Sequence, residues 1–306
     1  MKKQSYAARL GKDLRKNKVT YLWAIPLVLF YFFFHYKPMY GVLIAFFDFR
    51  PAKGLLASEF VGLENFIRFF TGRYFWRTLR NTLMLSVGNL LFAFPASIIL
   101  ALLLNEVKNM KFKRLTQTIT YLPHFISTIV ICGMIRQFVL SDGLINDLLA
   151  SLGMDRISML QREDYFRPIY IISDIWQGIG WGSIIYLAAL SGVDEQLYEA
   201  AKIDGAGKWR QTIHVTIPGI LPTIMIQLIL KIGSLMSLGY EKVLNLYNPT
   251  VYEVADIIST YTYRVGIGDS DFSYGTAIGL FNSVANCILL FTANKLSKKF
   301  TESSLW

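Results

Sequence analysis

The stretch Asn81-Thr-Leu-Met-Leu-Ser-Val-Gly-Asn-Leu90-Leu-Phe-Ala-Phe-Pro95-Ala-Ser-Ile-Ile-Leu100-Ala-Leu-Leu-Leu104 runs for 24 residues without a charged side chain. Crossing the hydrocarbon core of a bilayer takes about 20 apolar residues in a helix, because each rises about 1.5 Å through about 30 Å. The stretch reads as a membrane span, and similar blocks recur. Six are expected, over 19–36, 81–104, 119–139, 168–190, 215–238 and 274–294. The first, second and sixth carry no charge; the third holds Arg136, the fourth Asp174 and the fifth Lys231. Pro26, Pro95, Pro123, Pro168, Pro218 and Pro222 lie in or at the mouth of spans and read as kinks or helix starts, which packed membrane helices tolerate. The expected fold is all-α: a polytopic membrane protein with six transmembrane helices.

Composition agrees. Of 306 residues, 53% are hydrophobic and 17% charged, with a mean hydropathy of +0.39. A soluble domain carries nearer a quarter charged residues. Cys132 and Cys287 both sit in apolar blocks and read as small hydrophobes rather than a disulfide or metal pair. His35, His124 and His214 are too far apart to give metal-ligand spacing. The first block resembles a signal peptide, but it is too long and no small-x-small site follows before His35, Tyr36 and Lys37, so a retained helix is expected.

A pI near 9.5 raises the question of nucleic acid, and the location of the charge answers it. With the N-terminus inside, the segments 1–18, 105–118, 191–214 and 295–306 hold 17 Lys and Arg against seven acids. The outer segments 37–80, 140–167 and 239–273 hold 12 against thirteen. A basic excess on the inner face follows the positive-inside rule and needs no nucleic-acid partner. The segment 37–80 dissents, with seven bases and three acids, so the orientation rests mainly on Lys2, Lys3, Arg9, Lys12, Arg15, Lys16 and Lys18 of the basic tail. Both termini are expected in the cytoplasm.

The inner segment 191–214 contains Asp194-Glu-Gln-Leu-Tyr-Glu199-Ala200-Ala201-Lys-Ile-Asp204-Gly205-Ala206-Gly207, and Val215-Thr-Ile217-Pro218 follows it. Asp194 can cap a short helix presenting Leu197, Tyr198 and Ala201. Ala200 and Ala201 let another surface approach, and Gly205 and Gly207 break the helix and turn the chain back. Such a finger suits a groove on a soluble partner.

The spacing resembles the EAA loop of ABC importer permeases: Glu-Ala-Ala, three residues, Gly, nine residues, Ile-x-Leu-Pro. Here it is Glu199-Ala200-Ala201, Gly205 and Val215-x-Ile217-Pro218, with two apolar-for-apolar departures. Tyr36-Lys37-Pro38-Met39-Tyr40-Gly41, Arg80-Asn81-Thr82, Asn105-Glu106-Val107, Tyr121-Leu122-Pro123-His124-Phe125, Tyr247-Asn248-Pro249, Glu253-Val254-Ala255-Asp256 and Leu305-Trp306 resemble the LplB-type branch of carbohydrate permeases. The resemblance implies the type I importer fold and one subunit of a multi-pass importer in a bacterial cytoplasmic membrane. Its expected partners are a second permease, two ATP-binding cassette subunits and an extracytoplasmic sugar-binding protein. This chain itself would bind no cofactor, ATP and Mg belonging to the cassette subunits. Consistent with that division, no Walker A, H-E-x-x-H or G-x-S-x-G pattern occurs. Glu199, Ala200, Ala201, Asp204, Gly205 and Ala206 would form the contact with the ATPase.

Alignment with the larger maltose permease through the same loop implies substrate contacts at Asp174, Trp176, Gln177, Gly178 and Trp181. Tryptophan faces suit the C–H side of a pyranose, and Asp and Gln suit its hydroxyls; interfacial anchoring is the other reading of the tryptophans. In the fifth span Lys231 and the nearby Ser234 fall in the implied pathway, but two contact positions fall on Leu235 and Leu238, unlike a neutral-sugar site. Lys231 would meet a uronate-bearing oligosaccharide or form a salt bridge with Asp174. Arg136 is expected to snorkel. The Phe- and Arg-rich segment 37–80 reads as an interfacial amphipathic helix or a seat for the binding protein. Nothing signals a channel filter, paired broken helices of a secondary transporter or a catalytic set.

Overall fold

The computed structural model describes residues 13–301 other than Arg15, together with Ser304 and Leu305. Most of the basic tail (Lys2, Lys3, Arg9, Lys12 and Arg15) and Trp306 lie outside the described residues. The described chain is helical apart from short connections and one antiparallel ribbon, in which β1 (Phe47–Asp48) pairs with β2 (Glu59–Phe60). Among the described residues, five helical stretches, some of them interrupted, are long and apolar enough to cross a membrane: Lys18–Phe46, Phe75–Glu106, Thr128–Ser151, Lys208–Gly233 and Phe272–Lys299. A sixth helix of spanning length, Glu163–Leu190, is less apolar because Asp174, Gln177 and several glycines interrupt it.

In chain order the helices are α1 (Lys18–Tyr31), α2 (Glu64–Thr71), α3 (Phe75–Glu106), α4 (Met110–Tyr121), α5 (Thr128–Val139), α6 (Leu144–Ser151) and α7 (Glu163–Leu190). They continue with α8 (Glu195–Ile203), α9 (Lys208–Gln211), α10 (Ile217–Gly233), α11 (Tyr240–Leu246), α12 (Tyr252–Ala255), α13 (Ile258–Tyr263) and α14 (Phe272–Thr301). The long helices α3 and α7 pack along each other, and α10 lies on α14. Buried clusters are small: one joins α5, α7 and α11 through Ile131, Phe166, Tyr170, Val243 and Leu246, another joins Phe69, Phe75, Ile258 and Ile278. Much large apolar surface faces outward, as lipid contact requires. Helix α1 buries no residue, and Trp23 on it is 79% exposed.

Three features depart from a simple reading of hydropathy. The block 119–139 is not one helix: α4 ends at Tyr121, a tight turn follows over Leu122–Phe125, and α5 begins at Thr128. Pro123 supplies no N–H to the α4 ladder, and the Ser127 hydroxyl caps α5 by accepting from the Val130 amide at 3.4 Å. The block 215–238 stops at Gly233, and after a bend the chain returns as α11, packed on α5. The segment 239–273 is thus a folded helical cap rather than a loop. Its centre is the fully buried Asp256, which accepts from Arg77 at 3.0 Å and Arg264 at 2.6 Å. Asn81 at the start of α3 donates to the Glu253 and Asp256 carbonyls, and the Thr82 hydroxyl accepts from the Ile258 amide. Within 37–80, α2 turns Phe69 onto α14 and leaves Ile67 and Phe70 exposed. Asn65, also buried, donates to the Ala45 carbonyl at 3.0 Å.

Candidate functional site

Two places carry the residues singled out by the sequence: the finger after α7 and a cavity along its middle. The Asp194 carboxylate accepts from the Gln196 amide at 2.9 Å and starts α8. The helix ends at Ile203, and Gly205 just beyond it has a φ of +72°, a left-handed conformation costly for any residue with a Cβ. Two bonds close this turn, from the Gly205 amide to the Lys202 carbonyl at 3.0 Å and from the Ala206 amide to the Ala201 carbonyl at 2.8 Å. Glu199, Ala200, Asp204 and Gly205 are exposed, and Ala201 and Ala206 half-buried. Leu197, Ile203 and Trp209 add apolar surface at 52%, 86% and 75% exposure. Tyr198, expected on the presented side, instead turns inward and bonds Thr216 at 3.0 Å. Lys208 pairs with Glu106 at 2.9 Å, tying the finger to the end of α3.

The cavity has a volume of about 920 Å³ and lies between α3, α7, α10 and the cap. Asp174, Gln177, Gly178 and Trp181 line it from α7. Their spacing of three, one and three residues keeps them on one helical face. Trp176 is not among the lining residues. It stands about 200° round the helix from Asp174 at 100° per residue, so the helical period turns it away from the cavity. A Cβ at Gly180 would overlap the Thr120 carbonyl, so glycine there is what lets α4 press against α7. That contact helps bring His124 flat onto Trp181, with ring centroids 4.5 Å apart and planes within 5°.

Asp174 is partnered, but not as expected. Lys242 of α11 donates to it at 3.2 Å and Asn89 of α3 at 3.0 Å; the pair with Lys231, one of the two readings of that lysine, is absent from the ion pairs among the described residues. The bend after Gly233 explains this, because it carries α11 back into the bundle and delivers Lys242 first. Lys242 sits over the Tyr170 ring at 5.5 Å, and the Cys132 thiol donates to its carbonyl at 3.9 Å. Both cysteines are free, Cys132 buried and Cys287 exposed. Lys231 lines the cavity with an exposed ammonium and no carboxylate partner among the described residues. Ser234 lines it too, its hydroxyl bonded back to the Leu230 and Lys231 carbonyls at 3.2 Å. Leu235 and Leu238 also line it. Arg136 is exposed on α5 and away from the cavity. Asn89 and Gln227 could have been suspected as polar residues inside apolar blocks. Lys242 carried no such signal.

Comparison with known proteins agrees with this architecture. The family described as "Binding-protein-dependent transport system inner membrane component" matches residues 93–301. The chain is 46% identical over 307 residues to the polygalacturonan/rhamnogalacturonan transport system permease protein YteP of Bacillus subtilis, covering 99% of this chain and 95% of that protein. It is 49% identical over 294 residues to protein LplB of the same organism, covering 96% and 92%. Among solved structures, a bacterial ABC transporter involved in the import of the acidic polysaccharide alginate superposes with a TM-score of 0.89 at 39% identity, covering 96% of this chain and 99% of that one. The same kind of transporter, in complex with an alginate pentasaccharide-bound periplasmic protein, gives 0.90 at 38% identity, covering 97% and 100%. With its broken third span, its cavity and its exposed finger, the chain belongs to the family of inner-membrane permease components of binding-protein-dependent ABC transport systems.

Proposed function

We propose that this chain is one permease subunit of an ATP-driven importer of oligosaccharides, with uronate-bearing chains as its cargo. The observation that carries the reading is Lys231: an exposed ammonium on the wall of a 920 Å³ cavity with no carboxylate partner among the described residues. A lysine at membrane depth costs about 3 kcal/mol on insertion scales, so it calls for a partner or a task. Asp174 is already engaged by Lys242 and Asn89, which leaves Lys231 for a carboxylate on the cargo. The half-exposed Trp181 ring, stacked by His124, offers a platform for a pyranose C–H face, and Gln177, whose Oε1 accepts from Lys242 at 3.5 Å, offers its amide N–H as a donor. Relatives named for polygalacturonan and alginate transport support an acidic cargo. A neutral oligosaccharide is the second reading, favoured by Leu235 and Leu238 on the same wall.

In this account the energy comes from partner subunits. Two cassette ATPases would bind ATP and Mg, a second permease would complete the pathway, and an outer binding protein would deliver sugar. Closure of the ATPase dimer would push the exposed finger from Glu199 to Ala206, which faces the cytoplasm together with both termini. The push reaches the bundle through Tyr198–Thr216 and Lys208–Glu106, and α3 and α7 pass it to the cavity as packed rigid elements. Expression with the neighbouring transport genes tests the assembly. The chain should co-purify with a cassette ATPase whose hydrolysis rises with sugar-loaded binding protein. Isolation as a stable species that never retains an ATPase would overturn the reading.

A further inference from the structure

A second cavity, of about 530 Å³, lies at the Phe75 end of α3, which is about 48 Å long at 1.5 Å per residue and meets the finger at its other end. Arginine and tyrosine dominate its lining. Three of the guanidiniums are already tied. Arg68 pairs with Asp271 at 2.7 Å, lying 4.1 Å over the Tyr274 ring, and Arg77 and Arg264 share Asp256. Arg73 differs: it lies 4.5 Å over the Tyr74 ring and has no carboxylate partner among the described residues. Arg77 keeps its Nε buried with no acceptor. Asp269 lines the same cavity and is likewise in no ion pair among the described residues.

An unengaged guanidinium, an unengaged carboxylate and tyrosine rings make up an unusual set, with the buried Arg77 Nε behind them. A bare anion would satisfy Arg73 but be repelled by Asp269. A neutral sugar would leave Arg73 without its match. A uronate unit uses all three: its carboxylate takes the planar fork of Arg73, its hydroxyls donate to Asp269, and its C–H face covers a tyrosine. The volume is within the range of small-molecule sites. We propose that this cavity is a second binding site of the subunit, for a uronate residue of an acidic oligosaccharide, at the opposite end from the coupling finger. The proposal rests on the importer reading above. It adds a station before the Lys231 cavity, where a carboxylate-bearing unit is held as it leaves the binding protein.

The test uses the assembled importer in nanodiscs without its outer binding protein, carrying Val265→Cys as a reporter in a Cys287→Ser background. Val265 lines the cavity and is half-buried. Millimolar trigalacturonate should slow maleimide labelling about threefold, as expected near two-thirds occupancy. Galactotriose and sodium phosphate should not slow it, and Arg73→Gln should remove the effect while Arg73→Lys keeps part of it. Unchanged labelling with trigalacturonate, or equal slowing by galactotriose or phosphate, would overturn the site. Protection only when sugar-free binding protein is added would make the cavity a protein-docking surface and also overturn it. ATP-driven uptake of trigalacturonate by the unsubstituted importer is measured alongside. Absent uptake counts against the importer reading, whereas intact uptake without protection counts against this site alone.

Discussion

Lys242 Nζ lies 3.2 Å from Asp174 Oδ1, with the lysine side chain 5% exposed and the carboxylate 37% exposed. The two ends of this pair are therefore unequal. Asp174 keeps Asn89 and access to the cavity, whereas Lys242 is enclosed by Tyr170 and Cys132. Removing one partner of a buried pair is costly mainly through the charge left behind. Asp174→Asn, which leaves the enclosed lysine without a carboxylate and with Gln177 Oε1 at 3.5 Å, should destabilise by about 3 kcal/mol. Lys242→Met, which strands a carboxylate that water can reach, should cost less, about 1 kcal/mol, and the double variant should recover most of the Asp174→Asn loss. Thermal unfolding of the purified assembly reads all three. Equal losses without recovery would show that the pair does not act as a unit.

The cap should fail at Asp256. This carboxylate is fully buried and holds Arg77 and Arg264, while its backbone carbonyl accepts from Asn81. Burial acts to pull the Arg264 pKa down, but the bidentate carboxylate outweighs it and raises the pKa, so the guanidinium stays charged. Asp256→Asn leaves Arg264 without its anion and Arg77 with only Glu253 at 3.8 Å, and should destabilise by about 3 kcal/mol. Protease protection of the segment 239–273 checks it. Unchanged protection would remove the carboxylate from its place at the cap's centre.

Coupling should depend on the shape of the finger. Gly205→Val forces a β-branched residue into φ of +72° and should open the turn that closes α8. Ala201→Trp adds bulk to the half-buried side of the helix. Both variants should insert normally and lose more than about 90% of sugar-stimulated ATP hydrolysis, a loss of roughly 1.4 kcal/mol or more in coupling. Normal stimulation in both would sink the lever assignment.

Orientation is open to a direct test. A reporter fused after Lys208 should be cytoplasmic, since it follows the finger, and one after Ser270 should be outside, since it follows the cap. Reversed labelling would show that the basic tail does not set the topology.

How much of this was legible in the sequence depended on how local the signal was. The finger was readable because its cap, its small residues and its glycine break all lie within Asp194–Gly207, and each acts on its neighbours. The α7 face was readable in part: helical period puts Asp174, Gln177, Gly178 and Trp181 together, and the same period sets Trp176 on another side of the helix. The break at Pro123 was visible as a proline, but whether a membrane helix kinks or ends there depends on what satisfies the freed groups, and here Ser127 starts a new helix. Lys242 was beyond reach. Hydropathy ends a span where charge begins, so a lysine past Gly239 counts as outside. Only the tertiary contact of α11 with α5 carries it back to Asp174.

The central claim is that the cavity's uncommitted cation, Lys231, selects the cargo. The measurement is ATP-driven accumulation of trigalacturonate and of a neutral trisaccharide in proteoliposomes holding the full importer, with the native chain and with Lys231→Met. Because Lys231 has no ion pair to lose, the variant should unfold at the native temperature. It should take up trigalacturonate about tenfold more slowly, as loss of one charged contact worth about 1.4 kcal/mol would give, while neutral uptake changes little. An unchanged preference between the two sugars, with stability intact, would contradict the account by taking cargo selection away from Lys231.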